Sequence, residues 1–387
     1  MQLARRLESL QGVLVMEMNM RLARLKQEGR DIINLGVGDP DFPPPAHLLK
    51  ILEEAVRHPN YHHYPSFYPN QPLREAIAQW YKRRFGVDLD PIKEVLPLLG
   101  STDGLFLIHL CLLDMGDLAL VPDPGYPSYE AAAKMVGAQV EKIPLLRENN
   151  FLPNLDQIPE PIAQKAKMIW VNYPNNPTGA TAPPEFYEKL IAWAKAHEVF
   201  VVADNAYSEV YFDNCPPHSF LEIPGAKEVG VELHSLSKTY NCCGWRSGML
   251  VGNKDIISAL GKVKAHSDRG MFYPMQLVSI AALQSSDEFM ARRNQIFQER
   301  RDIFLTGLKE IGLEAYPPQA TFYLWARVPP KYTSLDFCFQ ALEEAYVWMI
   351  PGSLYGQRGE GYMRIALTHS AEKLKEALVR LKKFFQK

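Results

Sequence analysis

The sequence predicts an α/β protein with a large domain, whose mostly parallel sheet is covered by helices, and a smaller α/β domain built from both chain ends. Two observations carry this. In the middle of the chain short apolar runs alternate with longer amphipathic stretches. The runs are 118–121, 168–171, 199–203, 230–233 and 249–251, bounded by Gly, Pro, Asn or Asp. Runs of this length, separated by helical periodicity, read as strands buried on both faces. The second observation is that the ends differ from the middle. An N-terminal helix leads into an extended run, 32–38, and a proline-rich crossing that begins at Asp41. From residue 288 a long charged helix precedes a strand near 321–325. Ser334 is placed as the cap of a helix running toward Glu344, and 362–367 as a further strand. A last helix, capped by Ser370, carries Leu374, Leu378, Leu381 and Phe384 on one stripe. The expected division is 46–287 for the large domain, with 1–45 and 288–387 for the small one.

Composition narrows the function classes. The chain has 387 residues, 47% hydrophobic and 22% charged, with a formal net charge of −2. Such a balance leaves no electrostatic footprint for nucleic acid or an anionic membrane. Local basic clusters at Lys82, Arg83 and Arg84, and at Arg292 and Arg293, read as solvated helix faces. Five cysteines at irregular spacing, two of them the neighbours Cys242 and Cys243, suit neither a zinc site nor a disulfide framework. Reduced thiols and a cytoplasmic location follow as expectations, with no metal. The apolar patch after Arg5 and Arg6 lacks a small-residue cleavage site. No apolar run approaches the roughly 20 residues of a membrane-spanning helix.

Three polar segments fall where central strands should end, and open parallel sheets bind ligands at those carboxyl ends. The first runs from Asn172 through Asn175, Asn176 and Thr178 to Gly179. The second holds Asp204 and Tyr207, and the third holds Ser235, Ser237, Lys238 and Arg246. Lys238, placed just after a strand among small polar residues, is open to desolvation that frees an amine nucleophile. Standing alone it would read as a surface lysine. Two serines and a guanidinium beside it suit a phosphate. Asp204 is placed to keep a pyridine nitrogen protonated, although by itself it reads as a helix cap. Tyr207 lies on the same side of that turn and within sharing distance of a phenolic oxygen with Asn176. Upstream, Ser101 and Thr102 open an amphipathic helix whose free N–H groups make an anion site, or a plain capping sequence. Tyr126, on a rigid Pro-Gly turn, is offered equally to a flat ligand and to the core.

With those residues in place, the sequence resembles the class I/II aminotransferases of the fold type I pyridoxal-phosphate enzymes. The resemblance runs from the Leu35–Phe42 segment near one end to Arg364 near the other, and the order and spacing of Asn176 to Gly179 and Ser235 to Arg246 carry it. It implies a seven-stranded sheet in the large domain and pyridoxal 5'-phosphate as cofactor. It further implies Lys238 as the Schiff-base lysine and proton shuttle, Asp204 on the pyridine nitrogen, and Asn176 and Tyr207 on the ring hydroxyl. Tyr126 would stack on the ring, while Ser101, Thr102, Ser235, Ser237 and Arg246 hold the phosphate. Tyr64 would reach the phosphate of a partner subunit, implying a homodimer with active sites at its interface. Arg364, helped by the Gly38 backbone and Asn176, would grip the substrate carboxylate. The expected reaction moves an amino group from an L-amino acid to a 2-oxo acid, with glutamate and 2-oxoglutarate as partner pair, in ping-pong fashion. Within the superfamily, the branch of LL-diaminopimelate, alanine and aspartate aminotransferases is most similar.

Departures from the pattern concern substrate preference. Phe67 to Asn70 stand where a glycine is usual, Cys242 and Cys243 replace Met-Thr or Met-Ala, Thr102 replaces a lysine, and Ser247 an aliphatic residue. Side-chain pocket candidates are Met16, Met18, Tyr61, Phe67, Asn70, His266, Arg269, Met271 and Tyr323. Two rivals keep the fold: a lyase using the same electron sink, and a non-catalytic regulatory relative, for which the chain leaves no room for a DNA-binding domain. A nicotinamide-dependent dehydrogenase is set aside for lack of a GxGxxG opening a βαβ unit.

Overall fold

A computed structural model describes residues 4, 6–7, 13–65 and 71–386. Among the described residues thirteen strands occur in chain order: β1 (Ile33–Asn34), β2 (Val95–Leu98), β3 (Leu118–Asp123), β4 (Gln139–Pro144), β5 (Ala166–Asn172), β6 (Phe200–Asp204), β7 (Gly230–Ser235), β8 (Gly248–Gly252), β9 (Ala315–Tyr316), β10 (Tyr323–Arg327), β11 (Val347–Trp348), β12 (Ile350–Pro351) and β13 (Tyr362–Ala366). Seven of them form one sheet in the order β2-β8-β7-β6-β5-β3-β4. Only β8 runs against its neighbours β2 and β7. The predicted mostly parallel, seven-stranded sheet is thus observed, and each apolar run foreseen in the sequence is one of its strands.

Strand alternation explains how both faces are buried. On one face Leu96, Val121, Trp170, Val202 and Leu233 pack against Leu105, Ile108, Tyr129 and Leu260, from the helices Ser101–Leu112, Ser128–Met135 and Lys254–Ser267. On the other, Leu120, Ile169, Val201 and Val251 meet Ile77, Leu190 and Val278, from Gln71–Phe85, Pro184–His197 and Tyr273–Gln284. Because the strands pair in parallel, their carboxyl ends share one edge: Asn172 is in register with Asp204. That edge carries all three polar segments.

A third core joins the chain ends. Leu25, Ile33, Phe304, Phe337, Ile365, Leu374 and Leu381 pack together around the four-stranded sheet β12-β13-β10-β9 and the short β1-β11 pair. The extended run 32–38 is tied into it twice, since Leu35 N–H donates to Trp348 and its carbonyl accepts from Ala366 at 2.6 Å. Ser370 caps the last helix, Ala371–Phe385, by accepting from Lys373 N–H. At the preceding helix the expected cap moves by one residue. Thr333 accepts from Asp336 N–H, whereas Ser334 is the first helical residue, buried and bonded through N–H and Oγ to Glu360. That helix, Ser334–Gln340, then widens into a π turn over Ala341–Ala345.

The terminal helix is amphipathic, so its stability contribution lies in the stripe. Leu374 is fully buried and Lys375 is exposed. Leu374→Ala should lower the unfolding free energy by about 2–5 kcal/mol, and Lys375→Ala by less than about 0.5 kcal/mol. Urea titration of both variants checks this; equal costs would contradict the packing of the stripe.

Candidate active site

The sheet edge brings most of the predicted residues into one cleft. Asp204 ends β6, 8% exposed, and Tyr129 donates its phenol to Asp204 Oδ2 at 2.7 Å. Ala206 N–H donates to Oδ1 at 3.3 Å. Tyr129 is fixed by stacking on Trp170 (4.5 Å between centroids), whose indole donates to His109 Nε2. Burial raises Asp204 from 3.8 to about 6, against the phenol and amide, which pull it down. Asn172, in register with Asp204, donates to its carbonyl at 2.8 Å and accepts from Asn176 N–H at 2.8 Å. The parallel pairing therefore also locks the Asn175–Thr178 turn.

Lys238 lies in a single helical turn, Leu236–Thr239, that follows β7. Its Nζ donates to Gly38 O at 2.6 Å and to Cys243 Sγ at 3.1 Å. Gly38 is dictated by crowding: a Cβ there would stand 1.8 Å from Tyr323 Oη. Tyr323 Oη is 3.1 Å from Tyr207 Oη. Tyr207 thus pairs with Tyr323 and not with Asn176, whose Oδ1 accepts from Arg364 Nη1 at 2.9 Å. Arg364, on β13 and 7% exposed, also donates to Gly36 O at 2.7 Å and lies over the Tyr323 ring at 4.0 Å. Among the described residues no carboxylate pairs with this guanidinium, and its Nε is buried without a partner.

The anion end of the cleft is built from four pieces. Ser235 Oγ accepts from Ser237 N–H, while Ser237 Oγ is buried and makes no hydrogen bond. Ser101 and Thr102 begin the helix Ser101–Leu112, which points its free N–H groups at the edge. Gly100, at φ +82°, admits Arg246: a Cβ would lie 2.3 Å from Arg246 Nη2. An orphan hydroxyl, a helix N-terminus and a guanidinium held by a glycine gap fit a phosphate. Asp103, also at this start, is spent on structure, accepting from Leu99 N–H and Lys264 Nζ. Tyr126 sits half-buried at the rim, edge-on to Tyr129.

Other predicted residues lie apart. Tyr64 is 83% exposed, with Arg269 over its ring at 5.5 Å. Of the pocket candidates, Tyr323 joins the cleft cluster; Met16, His266 and Arg269 are exposed, Met18 and Met271 are core residues, and Phe67 and Asn70 lie outside the described residues. Ser247 owes its place to a buried partner, Ser279 Oγ at 2.7 Å.

The reading of the basic clusters as solvated faces needs correction. It holds for Lys82 and Arg292. Arg84 instead pairs with buried Glu209 at 3.0 Å, and Arg293, 2% exposed, is wholly enclosed. A long amphipathic helix tells which positions face inward only when its register is known, and charge alone masked this one. Tyr129 was also missed, although it lies one turn after Tyr126 on the helix that flanks Trp170.

In the cofactor-free protein, a buried carboxyl whose folded pKa lies above its unfolded value binds an extra proton in the native state. The stability it contributes is present below 3.8 and is lost as pH rises to about 6. Relative to Asp204→Asn, the native protein should therefore become less stable across that window and level off above it. Denaturant titrations of both proteins from about pH 3 to about pH 7, which bracket that window, measure this; a gap that widens in favour of the native protein would show that Asp204 is ionised throughout.

Residues 30–381 match the family described as Aminotransferase class I and II. The chain is similar to the LL-diaminopimelate aminotransferase of Syntrophobacter fumaroxidans (49% identity, 98% of each chain covered). It is also similar to that of Aquifex aeolicus (47%, 97% of each). Among solved structures, substrate-bound BacF from Bacillus subtilis superposes with a TM-score of 0.96 at 38% identity, covering 99% of this chain and 98% of that one. A probable N-succinyldiaminopimelate aminotransferase from Thermus thermophilus gives 0.91 at 35%, covering 95% and 99%.

Proposed function

Because the chain belongs to the class I and II aminotransferases, and is thus a pyridoxal-phosphate-dependent transaminase acting on amino acids and 2-oxo acids, we propose that LL-diaminopimelate is its amino acid substrate, with glutamate and 2-oxoglutarate as the partner pair. The curated relatives of that name support the substrate. The observation that carries the amino acid reading is Arg364, a buried guanidinium with no carboxylate of its own. A buried charge of this kind is costly unless a partner arrives, and a planar fork suits a substrate α-carboxylate.

Each residue then has a task. Arg364, held by Asn176 and Gly36, fixes the substrate carboxylate. Ser101, Thr102, Ser235, Ser237 and Arg246 would hold the cofactor phosphate, and Tyr126 would cover the ring. When bound, the cofactor supplies the electron sink for the reaction at the substrate Cα. Asp204, steadied by the Tyr129 phenol, would face the ring nitrogen and keep it protonated. Tyr207 and Asn176 would lie toward the ring hydroxyl. Lys238 would hold the cofactor through its amine and, when free, would move the proton at Cα. One cleft serves both half-reactions, which gives ping-pong kinetics.

The same reading makes the protein a cytoplasmic homodimer in which Tyr64 of each subunit reaches the phosphate held by the other; its exposure on the single chain supports this. It also places the large domain at 46–287 and the small one at 1–45 with 288–387. Among the described residues no helix is long and apolar enough to cross a membrane.

Two measurements test the proposal. Borohydride should fix the cofactor to Lys238 in the native protein and fail to do so in Lys238→Ala; covalent labelling that survives the substitution removes Lys238 from its role. In single-donor half-reactions followed by the cofactor spectrum, LL-diaminopimelate and glutamate should convert the aldehyde form to the amine form. Reaction with alanine or aromatic amino acids alone would overturn the substrate, and release of pyruvate or ammonia would indicate a lyase.

A further inference from the structure

Arg293 is a buried cation without an anion. It is 2% exposed, and among the described residues it makes no ion pair. The nearby Glu209 carboxylate is taken by Arg84, at 3.0 and 3.2 Å. Burial pulls Arg293 down to about 10, against the raising influence of the Glu209 charge, so it remains protonated at neutral pH. Its donors go to main-chain carbonyls: Nη1 to Lys238 O at 2.8 Å and to Thr239 O, Nη2 to Glu209 O. Asn294 holds the guanidinium in plane, accepting from Nε and Nη2, and itself donates to Glu209 O at 3.0 Å.

Those carbonyls matter for what they carry. Leu236–Thr239 is one isolated turn, and a single turn is not self-supporting. Its orphan carbonyls sit at the negative end of the local dipole, where a cation is favoured. Glu209 follows Tyr207 on the segment that leaves β6. One guanidinium therefore joins the backbone of Lys238 to that of Glu209, two residues past Tyr207.

The helix that bears it, Glu288–Glu310, extends the link. Two turns beyond Arg293, Arg300 pairs with both Asp41 oxygens (2.7 and 2.9 Å) and donates to Leu367 O at 3.1 Å. Asp41 lies just past Gly38, and Leu367 just past β13 with its Arg364. A single rigid rod thus spaces the Lys238 amine from the strand that holds the substrate carboxylate.

We propose that Arg293 is a positioning residue for Lys238, clamping the lysine turn to the Glu288–Glu310 helix so that the amine is held at a fixed distance from the substrate Cα. The proposal rests on the reading of Lys238 as the cofactor-binding base. Its signature is loss in the proton-transfer step with binding intact, because Arg293 touches neither substrate nor cofactor.

The test compares the holoenzyme with Arg293→Met and Arg293→Lys. All three are first treated with borohydride, and the rate and amplitude of the half-reaction are then measured, on separate untreated samples, with protiated and Cα-deuterated glutamate. If native Lys238 is not labelled, the functional reading fails. If it is, Arg293→Met should still be labelled, while its half-reaction slows roughly 10–100-fold and KM changes less than about twofold, the size expected for misplacement of a reacting group by about 1 Å. The deuterium effect should rise as proton transfer becomes more fully rate-limiting, and Arg293→Lys should recover part of the rate. The clamp is refuted if Arg293→Met turns over at the native rate, or if KM rises while kcat and the isotope effect hold. Should the methionine variant not fold, the lysine variant decides by the same readouts: a native rate and isotope effect with its fork lost would refute the clamp.

Discussion

Asp204 is a carboxylate withdrawn from water at the end of a central strand, and the cleft is arranged around the cost of holding it there. Its carbonyl accepts from Asn172, which fixes the Asn176 turn, and its carboxylate accepts from Tyr129, which leans on Trp170. The phenol and the Ala206 amide pull its pKa down, but burial still lifts it to about 6, so its charge is held at a cost. A cationic partner would supply the missing stabilisation. A site that is electrostatically incomplete by itself is thereby selective for a ligand with a proton to share.

The same logic separates the buried arginines. Arg293 has its donors satisfied by carbonyls and acts on structure. Arg364 keeps a buried Nε without a partner and no carboxylate, although it too is enclosed. Arg246 lies in between, exposed, and held over a helix N-terminus by the absence of a side chain on Gly100. Arg364 combines an unpartnered Nε with no carboxylate, whereas Arg293 has its donors taken and Arg300, whose Nε is also unpartnered, holds Asp41.

Much of this was legible in the sequence because parallel sheets convert order along the chain into position. Apolar runs at 168–171, 199–203 and 230–233 become neighbouring strands, so the polar residues that follow each run meet without any knowledge of tertiary contacts. The rest depended on contacts no local pattern contains. Tyr323 pairs with Tyr207, Tyr129 with Asp204, and Arg293 with the Lys238 turn, each across a large sequence separation. The cap at Thr333 was misplaced because two adjacent hydroxyls offered the same signal and only Glu360 distinguishes them. Arg293 was misread because a charged helix looks solvated until its register against the core is known.

The bond from Arg364 to Gly36 spans 328 positions and that to Asn176 spans 188. The phosphate end, by contrast, is assembled from 100–102 and 235–246. During synthesis the two halves of the cleft therefore mature at different times. A ribosome that has released the sheet has made everything a cofactor would touch within the chain, but nothing that would orient a substrate. Closing loops of this length carries an entropic cost that only the packing of the last helices offsets. An emerging chain thus carries the proposed cofactor-binding residues, though not yet the Arg293 clamp of the Lys238 turn, before it carries Arg364.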